Sequence, residues 1–186
     1  MACGRSTSAP PPVRPRTTAT TTTVSPPSTS TSEISPTSST APGTPPPCRN
    51  GQVAVTALSA SAGASMLEET FGFTNTSGSE CTLTGFPGVA ALNDQGQQIL
   101  QAKRVGNPPA PVNLAPGQLD ASANVIGNDI SPSGSTTCPT ASAFLVTPPN
   151  LTQSTQVHIR VFLPQGFSLC HGLQVFAVVP GTMGSG

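Results

Sequence analysis

The 186-residue chain carries seven basic and seven acidic side chains, so its formal net charge is zero and only 8% of its residues are charged. This balance argues against nucleic acid as a partner, because nucleic-acid-binding proteins usually present a basic patch or stripe. No run of about 18 apolar residues occurs that would suit a transmembrane helix. We therefore predict no nucleic-acid partner and no membrane contact except through an attached lipid.

The N-terminus resembles the end of a bacterial lipobox. Ala2-Cys3-Gly4 places a lone cysteine directly ahead of a polar segment, and in a lipobox that cysteine becomes the acylated first residue. The charged region and apolar core of a secretory signal do not precede it, which we attribute to a start site placed too late or to a trimmed chain. We predict lipidation at Cys3, and the alternative is an incidental free thiol.

Residues 4–47 are rich in Thr, Ser and Pro and contain only three large aliphatic side chains, Val13, Val24 and Ile34. Such a segment cannot bury enough apolar surface to offset the entropy lost on ordering. The composition is typical of O-glycosylated stalks and equally of plain linkers. We therefore predict that residues 1–47 form a lipobox-like start and a disordered linker, and that the folded domain spans residues 48–186.

From Cys48 onward, short alternating segments separated by turn residues predict β-strands. In residues 66–75 the period of two places Leu67, Phe71 and Phe73 on one face, together with Glu69. We interpret Glu69 as a solvated charge, and the alternative is that it marks the edge of the strand. The predicted strands span residues 52–58, 66–75, 81–86, 89–92, 97–103, 112–114, 118–126, 143–147, 156–163 and 173–179. Many short strands without a helix favour an all-β fold, an antiparallel immunoglobulin-like β-sandwich, with a barrel as the alternative.

Four of the five cysteines lie inside the predicted domain: Cys48, Cys81, Cys138 and Cys170. None forms the short-spaced pair of a zinc site, so the set indicates disulfides and an oxidising compartment. Three pairings are possible. The sequential pairing would close two loops of about 33 residues, each contributing about 3.7 kcal/mol in the chain-entropy model. We predict two disulfides and neither a metal nor a cofactor.

Candidate catalytic groups are sparse. Residues 63–67 (GASML) lack the second glycine of a serine nucleophile elbow. Glu68 and Glu69 are adjacent on a strand, so they point to opposite faces and cannot bracket one glycosidic bond. His158 and His171 are the only candidate general bases, and we interpret both as surface residues. We predict that the domain is not an enzyme, and the alternative is a hydrolase that uses His158 or His171.

Aromatic platforms for sugar or base stacking are scarce, because Trp and Tyr are absent. Phe86 and Phe167 lie beside turn residues and are the phenylalanines best placed for exposure. We interpret both as packed loop anchors rather than as contact residues for a partner.

The segment Cys81–Val89 reads C-T-L-T-G-F-P-G-V and resembles the C-x-L-x-G-[YF]-P-x-V signature of an actinobacterial family catalogued as domain of unknown function 4232. The supporting segments are F-T-N-T-S at 73–77, L-A-P-G at 114–117, L-V-T-P-P at 145–149 and C-H-G at 170–172. The resemblance implies a secreted or lipid-anchored envelope protein of mycobacteria, streptomycetes or their relatives. It implies no reaction.

Together these features predict a monomeric, non-catalytic module of the cell envelope. We expect it on the extracellular face of the cytoplasmic membrane or secreted, binding an envelope protein or a cell-wall component through its loops or a sheet edge. A purely structural or antigenic surface protein is a further alternative.

Overall fold

A computed structural model of the chain describes residues 43–107, 110–128, 138–159 and 167–184, and all regular secondary structure in these ranges is β-strand. The predicted linker with Cys3 lies outside the described residues, apart from residues 43–47. So does the second half of the strand predicted over 156–163. The boundary between residues 47 and 48 stays a prediction.

The larger sheet has six strands. They are β1 (Val53–Gly63), β2 (Met66–Asn75), β6 (Lys103–Arg104), β8 (Leu119–Asn128), β13 (Leu173–Val175) and β14 (Val179–Pro180). Their order is β1-β2-β8-β13-β6, and β14 also pairs with β8. The named pairs of this sheet are antiparallel except β13 with β6.

The smaller sheet has four antiparallel strands in the order β11-β10-β4-β5. They are β4 (Gly88–Leu92), β5 (Gln98–Gln101), β10 (Ala143–Thr147) and β11 (Thr155–His158). Two short ribbons complete the fold, formed by β3 (Cys81–Leu83) with β7 (Val112–Leu114) and by β9 (Thr140–Ala141) with β12 (Phe167–Ser168).

The strand order confirms the predicted immunoglobulin-like sandwich. Strands β1, β2 and β8 take the places of A, B and E in one sheet, and β4, β10 and β11 take those of C, F and G in the other. The aromatic rings of Phe71 on β2 and Phe144 on β10 are in contact, which shows that the two sheets pack face to face. The core is a single cluster with contributions from both sheets.

Strand β2 has the predicted bounds and the predicted inward face. Leu67, Phe71 and Phe73 are all fully buried, as the period of two requires when one face of a sheet is covered. Glu69 on the same face is also fully buried, and β2 lies between β1 and β8. Both interpretations of Glu69 are therefore wrong: its side chain is not solvated, and it marks no edge, because long strands pair with β2 on both sides.

The cysteines pair sequentially, Cys48 with Cys81 and Cys138 with Cys170. The first disulfide fastens the chain to β3 just before β1, and backbone hydrogen bonds reinforce that junction. The Thr82 N–H donates to the Pro46 carbonyl at 2.9 Å, and the Cys48 N–H donates to the Thr82 carbonyl at 2.9 Å. The two disulfides indicate an oxidising, extracytoplasmic environment.

The segment predicted as one strand over 97–103 divides into β5 and β6, which belong to different sheets. Ala102 lies between them, and its N–H donates to the Val89 carbonyl at 2.8 Å. The chain therefore leaves the smaller sheet at this point and joins the larger one. Periodicity gives no clear signal for this change, since β5 is only four residues long and β6 only two.

Candidate functional site

Three connections meet at one end of the sandwich. They are the entry to β1 (residues 49–52), the connection from β2 to β4 (residues 76–87) and the connection from β10 to β11 (residues 148–154), and we call this surface the loop end. In immunoglobulin terms the last two are the B–C and F–G loops, which form recognition surfaces in variable domains. Side-chain amides of three asparagines tie the loop end together.

Asn50 joins the entry segment to the connection between β10 and β11. Its Nδ2 donates to Thr152 Oγ1 at 2.7 Å, and its Oδ1 accepts the backbone N–H groups of Thr152 at 3.0 Å and Gln153 at 3.4 Å. These contacts span about a hundred residues of sequence. They hold two loops in one arrangement although Asn50 itself is exposed.

Asn75 organises the start of the connection between β2 and β4 from inside the protein. The residue is fully buried, and its Nδ2 donates to the carbonyls of Ser79 at 2.8 Å and Leu114 at 2.9 Å. Its Oδ1 accepts the Ser77 N–H at 2.9 Å and the Ser77 hydroxyl at 2.7 Å. Because both amide hydrogens are used, the Asn75-Thr76-Ser77 sequon offers no accessible nitrogen for a glycan in the folded state.

Asn150 joins the connection between β10 and β11 to the connection between β2 and β4. Its φ of 60° places it in the left-handed region that asparagine tolerates better than most residues. Its Nδ2 donates to the Thr84 carbonyl at 3.1 Å, next to Gly85, which has a φ of 111°. The turn conformations on both sides are thereby coupled.

The C-T-L-T-G-F-P-G-V segment forms the base of the loop end. Cys81 is in a disulfide, and the side chains of Leu83, Pro87 and Val89 are buried. These residues therefore stabilise the fold, and the residues around them form the solvent-exposed surface. Exposed groups at the loop end include Arg49, Glu80, Thr152 and Gln153, which can hydrogen-bond and pair charges.

The two histidines are both exposed, as predicted, but they line different cavities. His158 lies on β11 beside a groove of about 360 Å³ that it shares with Val55 of β1. His171 follows Cys170 and lines a pocket of about 190 Å³ with Met66 and Gln174. Within the described ranges, no three His, Cys, Asp or Glu side chains come close enough together to hold a metal ion.

The remaining sequence candidates divide between surface and core. Glu68 is half-buried on the outer face of β2, whereas Glu69 lies in the core, which confirms that they point to opposite faces. Phe167 is buried, as predicted, but it lies on β12 rather than in a loop, and Phe86 is half-buried. Cys3 lies outside the described residues. In the part of the chain that the structure covers, no helical segment has the length and apolarity of a bilayer span.

Sequence reasoning did not single out the three asparagines as organisers of the loop end. A signal was present for Asn50, since Asn50-Gly51 is a turn dipeptide. The distant partners of Asn50, Asn75 and Asn150 depend on the topology, which no local pattern supplies.

Comparison with known proteins gives one match. Residues 48–176 match the family model described as Domain of unknown function (DUF4232). No curated protein and no solved structure matches the chain significantly. The matched segment contains both disulfides, the loop end, the smaller sheet and every strand of the larger sheet except β14. Because it covers more than half of the sequence, the chain belongs to the DUF4232 family.

Proposed function

We propose that this protein is a non-catalytic binding module of the cell envelope that recognises a protein or a wall component through its loop end. The observation that carries the proposal is that Asn50 and Asn150 fasten the three loops to one another, while Asn75 orders one of them from inside. Loops fixed on a rigid scaffold are where binding residues concentrate in sandwich folds.

The energetic reason is pre-organisation. A loop that is already ordered loses little conformational entropy when a partner binds, so more of the contact energy appears as affinity. At the loop end the side chain of Asn50 alone satisfies two backbone N–H groups of residues 152 and 153. Exposed hydroxyl, amide and charged groups around this frame, including Thr152, Gln153 and Arg49, supply directional contacts.

The proposed location follows from the disulfides and the N-terminal sequence. We propose that a lipid on Cys3 anchors the protein to the extracellular face of the cytoplasmic membrane. A linker over residues 4–47 would then reach roughly 140 Å if extended and roughly 40 Å as a flexible coil, enough to place the domain clear of the lipid surface. Intact mass spectrometry of the protein isolated from its native cells tests this, because an acylated protein would begin at Cys3 and exceed the mass of the sequence from that residue by the mass of the lipid.

Site-specific photo-crosslinking in native cells tests the binding function. A photoreactive amino acid at Gln153 places the probe on the loop end, and the matched control places it at Gln95 in the hairpin between β4 and β5. Both positions are exposed glutamines, and β4 runs from one end of the sandwich to the other between them. We expect a discrete adduct from position 153 and none from position 95. Equal adducts from both positions, or none from either, would contradict a loop-end binding site.

A further inference from the structure

The outer face of the larger sheet buries polar side chains, although it is the face turned away from the core. Thr70 of β2 and Ser122 and Asn124 of β8 are each less than 5% exposed, and they alternate with core residues along their strands. Residues 181–184, which we call the strap, contact this face directly after β14. The strap therefore helps to shield these polar side chains from solvent.

The strap is fitted to this surface by specific contacts. The Gly181 N–H donates to the Asp120 carbonyl at 2.8 Å, and the Gly184 N–H donates to Ser122 Oγ at 2.9 Å. Gly184 has a φ of 71°, and a Cβ at this position would overlap the side-chain amide of Asn124. Glycine is thus the residue that this close approach requires.

A pocket of about 180 Å³ opens between the strap and the β1–β2 hairpin. Its lining consists of Ser59, Ala60, Ser61, Glu68, Thr70, Thr182 and Met183. Glu68 is the only charged residue in this lining, and the Ser59 hydroxyl donates to Thr70 Oγ1 at 3.1 Å. The pocket therefore combines one carboxylate, several hydroxyl groups and the thioether of Met183.

The Glu68 carboxylate is oriented but not neutralised by the described residues. Asn124 Nδ2 donates to Glu68 Oε1 at 2.7 Å. Because Asn124 is only 2% exposed, this hydrogen bond fixes the carboxylate from the buried side of the pocket. Within the described ranges no Lys, Arg or His lies within ion-pair distance of Glu68. A cation entering the pocket would meet an ordered carboxylate whose position is already fixed.

We propose that this pocket binds a primary ammonium group carried on an aliphatic stem, the chemistry of a lysine side chain. The ammonium is a compact charge with three donors, which match the second Glu68 oxygen and the neighbouring hydroxyls. A guanidinium is matched less well, since its planar fork pairs best with both oxygens of a carboxylate and Asn124 already occupies one. The methylene stem would pack against Met183.

Titrations of the full-length, ¹⁵N-labelled protein test the pocket. The probe is Nα-acetyl-lysine N-methylamide, and the matched uncharged control is Nα-acetyl-norleucine N-methylamide. We expect saturable shifts of the amide resonances of Glu68, Thr70, Thr182 and Met183 with the lysine probe only. Equal shifts with the norleucine probe would overturn the proposal, because they would show binding that ignores the charge. A parallel titration with n-butylammonium distinguishes a free amine from a lysine held in a peptide.

Variants make the test specific. Glu68→Gln keeps an oxygen for Asn124 but removes the charge, and we expect it to weaken binding at least about tenfold. Asp94→Asn removes an exposed carboxylate in the hairpin between β4 and β5 and serves as the control, with affinity unchanged. Ser61 is exposed and lies opposite Glu68 in the β1–β2 pair, so Ser61→Leu keeps the carboxylate but fills the pocket beside it, and it too should abolish the shifts. Undiminished binding by a folded Glu68→Gln or Ser61→Leu protein would place the ammonium elsewhere.

Discussion

Phe71 and Phe144 meet edge to face across the sandwich, with ring centroids 5.7 Å apart and ring planes at 79°. Both rings are fully buried, and each belongs to a central strand of its sheet. In a chain without Trp or Tyr, this pair supplies a large share of the apolar contact between the two sheets.

Replacing Phe144 with alanine removes the ring and leaves a cavity between the sheets. We expect Phe144→Ala to lower the free energy of unfolding by about 4 kcal/mol, measured by urea denaturation with the disulfides intact. Met183→Ala removes an apolar side chain that is 87% exposed and should change stability by less than about 0.5 kcal/mol. Similar midpoints for the two variants would show that this ring contact is dispensable.

We expect the buried side-chain amide of Asn75 to make a large contribution to the stability of the domain. Asn75→Ala deletes four hydrogen bonds and leaves the carbonyls of Ser79 and Leu114 without that donor, so we expect a loss of about 3 kcal/mol in the free energy of unfolding. The control is Asn113→Ala, an exposed asparagine on β7, which should be nearly neutral. Comparable losses in the two variants would contradict the organising role of Asn75.

The hairpin between β1 and β2 offers a stabilising change. Ala64 and Ser65 have φ values of 47° and 65°, the left-handed conformation of a two-residue type I′ turn that asparagine followed by glycine adopts most readily. We expect the double variant Ala64→Asn/Ser65→Gly to raise the free energy of unfolding by about 1 kcal/mol.

Replacing a glycine in the β4–β5 hairpin is the matched comparison for the change in the β1–β2 hairpin. Gly96 has a φ of 74° with open space around its Cα, so Gly96→Ala tests the conformational cost alone. We expect it to lower the free energy of unfolding by about 1 kcal/mol. Thermal unfolding of the variants measures both effects, and a shift of the same sign in the two hairpins would refute the explanation.

The strap can be released by one methyl group. Gly184→Ala introduces a Cβ that collides with Asn124, so we expect amide hydrogen exchange at Gly181 and at position 184 to accelerate about tenfold or more. Gly78→Ala is the control, since Gly78 is exposed and a Cβ there meets nothing within 4 Å. Unchanged exchange in the Gly184→Ala protein would show that the strap does not depend on this close approach.

The sequence predicts the fold where the period of two is strong. Strand β2 has its predicted bounds because large apolar residues alternate along it, and β10 is correct because prolines follow it directly. The predicted end of β1 at Leu58 is five residues too early. Residues 59–63 are Ser, Ala and Gly, which carry little apolar contrast, and the strand continues there because it pairs with β2 through a bulge.

The candidate sites were less predictable, because they depend on contacts between distant segments. The pairing of Asn50 with Thr152 requires the two sheets to be assembled first. The strap also has no local signal beyond its two glycines, and its position depends on β14 pairing with β8. Glu69 shows the converse problem, since its charge indicated a solvated or edge position while its position in β2 dictated burial.

The Cys48–Cys81 disulfide has a mechanical consequence. Tension applied through residues that precede Cys48 reaches β3 through the sulfur–sulfur bond and bypasses the loop between the two cysteines. Strands β1 and β2, with the Glu68 pocket wall, lie inside that loop and carry no load while the bond is intact. In a domain pulled from its N-terminal side, the β1–β2 hairpin is therefore not stretched between its own two ends until the bond is reduced.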